Sequence, residues 1–273
     1  MHRILIALML FVMPQDAAAD PEARAIFNAA VKVQCPDGTL PEIIDFKADM
    51  SVSLYEKEAA GPKSGRCVQY WQRNQPRSRY HRVLSISGGK TTHLATDGLR
   101  FLLWEEGGRV QDLLDDPALK DDLRTLKDEM RRTEELLSSL FLQRMDKPGM
   151  SVRFAGPAST IKRGEPAEDV PVRTLVCRNA GEADVQLVIG IADQRLYAVD
   201  RAAVGDKPAQ TFRFDFHALG SGKSANGEVQ RLLLPRRVEY CENGRLLIEA
   251  NARKASDLQF NIGLEAASFA PPK

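Results

Sequence analysis

Hydrophobic and polar positions along this chain change period several times, and each change predicts an element. An unbroken apolar run from Ile4 to Met13 comes first, behind the cationic His2-Arg3 start. Pro14-Gln15-Asp16 break the run, and Ala17-Ala18-Ala19 has the small-residue pattern that signal peptidase reads. This layout predicts a secretory signal peptide over residues 1–19, cleaved near Ala19. The run is too short to span a bilayer, which takes about 20 apolar residues. No later stretch is long enough either, so no transmembrane segment is expected in the mature chain. Asp20-Pro21-Glu22 then read as N-cap, first-turn proline and first-turn acid. Ala25, Ile26, Ala29, Ala30 and Val33 give one apolar face of a short helix, which Cys35-Pro36-Asp37-Gly38 ends.

Alternation with period two takes over next. Phe46, Met50, Val52 and Leu54 predict a long strand with a local irregularity, and Gly61 to Gly65 a turn. Strands follow at Cys67–Arg73, around Tyr80, Val83 and Leu84, at Thr91–Thr96, at Phe101–Trp104 and at Val110–Leu113. Asp97-Gly98 supplies a hairpin signal, because both residues tolerate a positive φ. The first third of the chain therefore reads as a β-meander.

The period then lengthens. Leu119, Leu123, Leu126, Met130, Leu137, Leu140 and Phe141 recur mainly at threes and fours with charges between them, predicting a helical insertion at about 115–146. A helix with one apolar side, set into a β chain, is expected to lie across a sheet face. Met150–Phe154 reads as a short strand, and Ala155–Pro171, rich in Gly, Pro, Glu and Lys, as a loop. Alternation resumes at Val185-Leu187-Ile189, Phe212-Phe214-Phe216, Val238-Tyr240 and Phe260-Ile262-Leu264. Asn243-Gly244 marks a type I′ hairpin, and Gly220–Ser224 a polar loop. About ten to twelve strands are expected, a count typical of large twisted or partly closed sheets.

Charge adds an exclusion. Lys plus Arg number 38 against 37 Asp plus Glu, so nothing points to nucleic acid, whose binders carry a basic excess. The four cysteines are Cys35, Cys67, Cys177 and Cys241. In an oxidising compartment they permit two disulfides in three connectivities. Local pairing, Cys35–Cys67 and Cys177–Cys241, agrees with a meander; four reduced, buried thiols are the alternative.

Motifs for catalysis are missing. Gly222-Lys223-Ser224 lacks the upstream glycine of a phosphate-binding loop, since His217 stands there, and no helix is expected to follow. Ser85 and Ser87 near His81 sit on no strand-to-helix elbow. His81, His93 and His217 lack zinc-ligand spacing, so neither a metal nor another cofactor is expected. Asp121-Asp122 and Glu134-Glu135 read as the solvent face of the helix. What remains is apolar surface. Tyr70, Trp71, Tyr80, Phe101 and Trp104 cluster in the first meander, and each also has an ordinary reading as core. A curved sheet with a helix as lid can leave an apolar cavity between the two, suited to acyl chains or an apolar peptide.

The order of elements resembles a family. Tyr70-Trp71-Gln72-Arg73 through Pro76 to Arg79-Tyr80, then Thr96-Asp97-Gly98, the aromatic strand ending in Trp104, and Ser268-Phe269-Ala270-Pro271 look like the outer-membrane lipoprotein-sorting carrier (LolA/LolB-like) superfamily. That family places a basic residue beside the turn proline; here Gln75 precedes Pro76, with Arg73 and Arg77 nearby. The resemblance implies an α+β fold: a strongly curved antiparallel β-sheet, an unclosed half-barrel, with helices packed on its concave face. It implies one domain over 20–273 and a periplasmic or secreted location. It further implies a non-catalytic binding or carrier protein for a hydrophobic ligand, namely lipid or lipoprotein acyl chains. Trp71, Tyr80, Phe101 and Trp104 are then expected to line or flank the cavity, and Leu126, Met130 and Leu137 to form the lid. The alternatives are an envelope regulatory or structural protein that binds another protein through the same fold and, third, a hydrolase.

Overall fold

A computed structural model describes residues 20–38, 42–56, 61–74, 77–140, 142, 149–179, 182–205, 207–223 and 227–271. The expected leader at 1–19, the Gln75-Pro76 turn and Phe141 lie outside the described residues. Helix α1 spans Pro21–Gln34, and Asp20 caps it by accepting from the amides of Glu22 at 2.9 Å and Ala23 at 3.2 Å. Its buried positions are Ala23, Phe27, Ala30 and Gln34, a face turned away from the predicted one, and Ala25 is exposed. Gln34 goes inside because its side-chain amide donates to the Leu140 carbonyl at 3.2 Å.

The first meander consists of β1 (Asp45–Leu54), β2 (Lys63–Gln72), β3 (Arg79–Ile86), β4 (Thr91–Thr96), β5 (Phe101–Glu105) and the short β6 (Gln111–Asp112). A 3-10 turn at Pro117–Leu119 leads into helix α2 (Lys120–Leu140). The second half holds β7 (Ser151–Phe154), β8 (Ser159–Arg163), β9 (Glu168–Arg178), β10 (Val185–Gly190) and β11 (Leu196–Arg201). After them come β12 (Gln210–Lys223), β13 (Val229–Glu242), β14 (Arg245–Asn251) and β15 (Leu258–Phe260).

All of these strands join one sheet in the order β6-β5-β4-β3-β2-β1-β14-β13-β12-β11-β10-β9-β7, with β8 also on β9 and β15 beside β1 and β12. Its end strands, β6 and β7, do not pair, so the sheet is unclosed. Every pairing is antiparallel except a single parallel bridge between Gly222 and Phe260. Strand β1 is the joint. It pairs with β2 along one side, and on the other with β15 through Phe46–Ala48 and with β14 through Ser51–Leu54.

Period-two alternation assigns the faces. Phe46, Ala48, Met50, Val52 and Leu54 share one face of β1, in register with Trp71, Gln69 and Cys67 on β2 and then Tyr80, Arg82 and Leu84 on β3. This is the face that α2 covers, and its main core joins Phe27, Phe46, Trp71, Tyr80, Leu126, Leu137, Phe212 and Phe214. On the other face of the first meander, Trp104 packs with Ala95 and Leu102 in a separate cluster. There Trp104 stacks on His93 with ring centroids 4.7 Å apart.

Three expectations need correction. The region read as a loop over Ala155–Pro171 contains β8 and the start of β9, a hairpin largely open to solvent, so no apolar alternation marks it. Gly220–Lys223 belongs to β12 instead of a loop, paired with Leu232–Val229. A Cβ on Gly220 would stand 2.6 Å from Leu234 Cδ1, so glycine here marks a close approach within a strand. Neither expected disulfide forms: Cys67, Cys177 and Cys241 are buried free thiols, and Cys35 is buried as well. Strands β10, β11 and β12 separate Cys177 on β9 from Cys241 on β13. Neighbouring strands lie about 4.8 Å apart, whereas the Cα atoms of a bridge sit roughly 4.4–6.8 Å apart. Cys35 follows α1, while Cys67 lies mid-strand in β2 and in another cluster.

Candidate functional site

Between α2 and the covered face of the sheet lies a half-open cleft. Its empty space is about 970 Å³ including the part open to solvent, of which about 120 Å³ can hold the centres of water molecules. The figure comparable with the roughly 300–1,000 Å³ usual for small-molecule sites is the smaller one, which falls below that range. The sheet wall comes from Met50, Val52 and Leu54 of β1, Leu84 of β3, Val238 of β13 and Ile248 of β14. Glu129, Arg132, Thr133, Leu136 and Leu140 of α2, spaced at threes and fours, make the opposing wall.

Polar groups enter this apolar surface at one end. Arg82 Nη1 donates to Glu129 Oε1 in an ion pair whose two side chains are only 16% and 12% exposed. Tyr80 donates its hydroxyl to the other Glu129 oxygen at 3.2 Å and accepts from the Gln69 side chain at 3.2 Å. Burial works against the Arg82 charge, but the adjacent Glu129 carboxylate outweighs it and holds the pKa above the ordinary guanidinium value. Burial, and then Glu129, raise the Tyr80 phenol well above its ordinary value. Cys67 borders the cleft, and burial pushes its thiol up to about 12, so it stays protonated at neutral pH. The arrangement offers an apolar channel with a buried ion pair in its wall.

Six of the seven residues singled out in the sequence meet in the core between α2 and the sheet. Trp71, Tyr80, Phe101, Leu126 and Leu137 are buried in the main core, and Met130 packs against it. They fill the core under the helix and none borders the open cleft. Trp104 lies on the opposite face of the sheet. The cleft-lining residues missed in the sequence are Leu136 and Arg132 on the helix and Val52, Leu84 and Ile248 on the strands. Their alternation is visible, but which of them a helix covers is set by tertiary packing.

Glu134 also departs from expectation. The amphipathic pattern places it in solvent, yet its Oε1 accepts from the Ser78 hydroxyl at 2.8 Å and the Trp71 indole at 3.4 Å, fastening α2 to the sheet. His81 is committed elsewhere: Nδ1 donates to the Ser268 carbonyl at 2.7 Å and Nε2 contacts His93 Nδ1 at 3.1 Å. Ser85 pairs with the Thr91 hydroxyl at 3.0 Å, away from that imidazole.

Among the described residues no helix is long and apolar enough to cross a membrane. No family model and no curated protein matches the chain. Solved structures do. A LolA superfamily protein from Nitrosomonas europaea is 11% identical with a TM-score of 0.42, over 91% of this chain and 97% of that one. A Vibrio parahaemolyticus domain named for outer-membrane lipoprotein sorting is 11% identical with a TM-score of 0.40, over 91% and 96%. A DUF1329 family protein from Desulfovibrio piger is 9% identical with a TM-score of 0.42, over 91% and 97%. The chain is thus distantly similar, along most of its length, to solved proteins that include a member of the LolA superfamily.

Proposed function

We propose that this protein is a periplasmic binding or carrier protein that holds a hydrophobic ligand, the acyl chain of a lipid or lipoprotein, in the cleft between α2 and the sheet. The observation that carries this reading is the row of half-buried aliphatic side chains, Met50, Leu84, Leu136, Val238 and Ile248, left facing open space between two walls. Apolar surface left partly wet in a formed cleft gains about 25 cal/mol for each Å² that a ligand covers. In this reading residues 20–273 act as one domain, and the helical insertion supplies one wall of the site. Trp71, Tyr80 and Phe101, expected to line the cavity, and Leu126, Met130 and Leu137, expected to form its lid, then support it from behind.

Charge in the apolar channel tests the reading, since an unpaired carboxylate there opposes an acyl chain. A Leu136→Asp, Ile248→Asp double variant that keeps the wild-type circular dichroism is expected to lose at least about tenfold in affinity for a fluorescent fatty acid. Undiminished uptake by that folded variant sinks the proposal.

A further inference from the structure

The charges of the cleft do not balance. Its lining carries two guanidinium groups, Arg82 and Arg132, and one carboxylate, Glu129. Glu129 is taken up by Arg82 and the Tyr80 hydroxyl. The neighbouring acids on α2, Asp128 and Glu135, are both paired with Arg131. Arg132 is half-buried, and its guanidinium carbon sits 5.3 Å from the centroid of the Tyr240 ring. Among the described residues no carboxylate pairs with it. Arg237, also partly buried, is by contrast matched by Glu165, Glu239 and Glu249.

A guanidinium over an aromatic face gains from the ring quadrupole, but its N–H donors still need acceptors. In the open cleft, water supplies them. A wholly apolar ligand would displace that water and leave the donors unpaired, which costs affinity. An anionic head reverses the sign, because carboxylate and phosphate both match the planar donor fork in two hydrogen bonds. Partial burial beside low-dielectric walls strengthens that attraction.

We propose that the ligand of this cleft is an anionic amphiphile, with its head on the Arg132 guanidinium and its chain along the apolar walls. This rests on the cleft reading above and adds the class of head group. A fatty-acid carboxylate and a lipid phosphate present the same chemistry to Arg132.

Titration calorimetry of the purified chain with palmitate, hexadecyl phosphate and hexadecanol, each below its aggregation concentration, separates the possibilities. One or both anions are expected to bind roughly tenfold tighter than the alcohol, the size of one charge-assisted contact. Whichever anion gains more identifies the head group. Arg132→Gln should abolish the preference of the anions over the alcohol, and Arg132→Lys should keep most of it. Equal binding of all three probes by the wild type overturns the anionic head and leaves the cleft reading standing. Binding of none overturns both. A preference that survives in Arg132→Gln overturns the role of Arg132.

Discussion

His217 shows how one residue ties stability to pH. It lies in β12 directly after Phe216, whose φ is 52°. Its Nε2 donates to the Leu196 carbonyl at 2.9 Å, which fixes the neutral tautomer, and the Tyr197 ring meets it edge-on at 5.4 Å. Burial pushes its pKa down to about 4, against about 6.5 in an unfolded chain. Between those values the unfolded chain takes up a proton that the folded one does not, so stability rises with pH. The contribution is complete above about pH 6.5 and shrinks as pH falls toward 4, by about 3 kcal/mol in all. Burial lowers His81 and His93 as well, so they add in the same direction. The urea midpoint is therefore predicted to fall between pH 7 and pH 4, and His217→Gln to fall less. Carboxylates whose pKa values are lowered by arginine partners, Asp49 and Asp184, act below this window and keep the two effects apart. An unchanged pH slope in His217→Gln would refute the assignment.

At the scale of the element, α2 is held by acids that point inward. Its apolar period is legible in the sequence, and Lys120–Leu140 falls inside the stretch of about 115–146 where a helical insertion is expected. The polar side is less legible, because an amphipathic reading sends every charge to solvent. Glu129 and Glu134 instead reach Arg82, Tyr80, Ser78 and Trp71 across the interface. No local pattern marks such residues, since their partners lie between 47 and 63 positions away. The pairing of Glu129 with Arg82 has a measurable consequence. Glu129→Ala strands a buried guanidinium and should cost on the order of 3–5 kcal/mol in denaturant unfolding. Arg82→Met together with Glu129→Leu should restore most of that loss, because removing both charges removes the desolvation cost as well. If the double variant is as unstable as the single one, the pair contributes through packing and the electrostatic account fails. Similar reasoning covers the far end of β12, where Gly220 and Gly222 read as a loop in the sequence. Leu234 and Phe260 crowd their positions from neighbouring strands.

At the scale of the molecule, a large antiparallel sheet with a covering helix is legible in the sequence, because meander, helical interruption and second meander follow one another in chain order, while its curved, unclosed form is what the family resemblance implies. The cleft is not, because alternation divides a strand into two faces without saying which side chains a helix leaves uncovered. The cysteines fail for a related reason: proximity in sequence suggests a bridge, whereas strand order decides distance. Strand order also has a temporal meaning. Ser51–Leu54 of β1 pair with Ile248–Asn251 of β14, so the two halves of the molecule share a seam whose sides lie about 200 positions apart. Contacts of such separation form late, after hairpins such as β12 with β13. In refolding of the full chain, a donor–acceptor dye pair at Ser53 and Glu249 is predicted to approach more slowly than a pair across β12 and β13; simultaneous approach would refute this order. A ribosome adds roughly 5–20 residues per second, so β1 emerges some 10–40 s before its partner exists. Throughout that interval the outer edge of β1 stands open, with its amides and carbonyls free to take any passing strand. Whatever attends the nascent chain has to shield that edge until the last quarter of the polypeptide arrives.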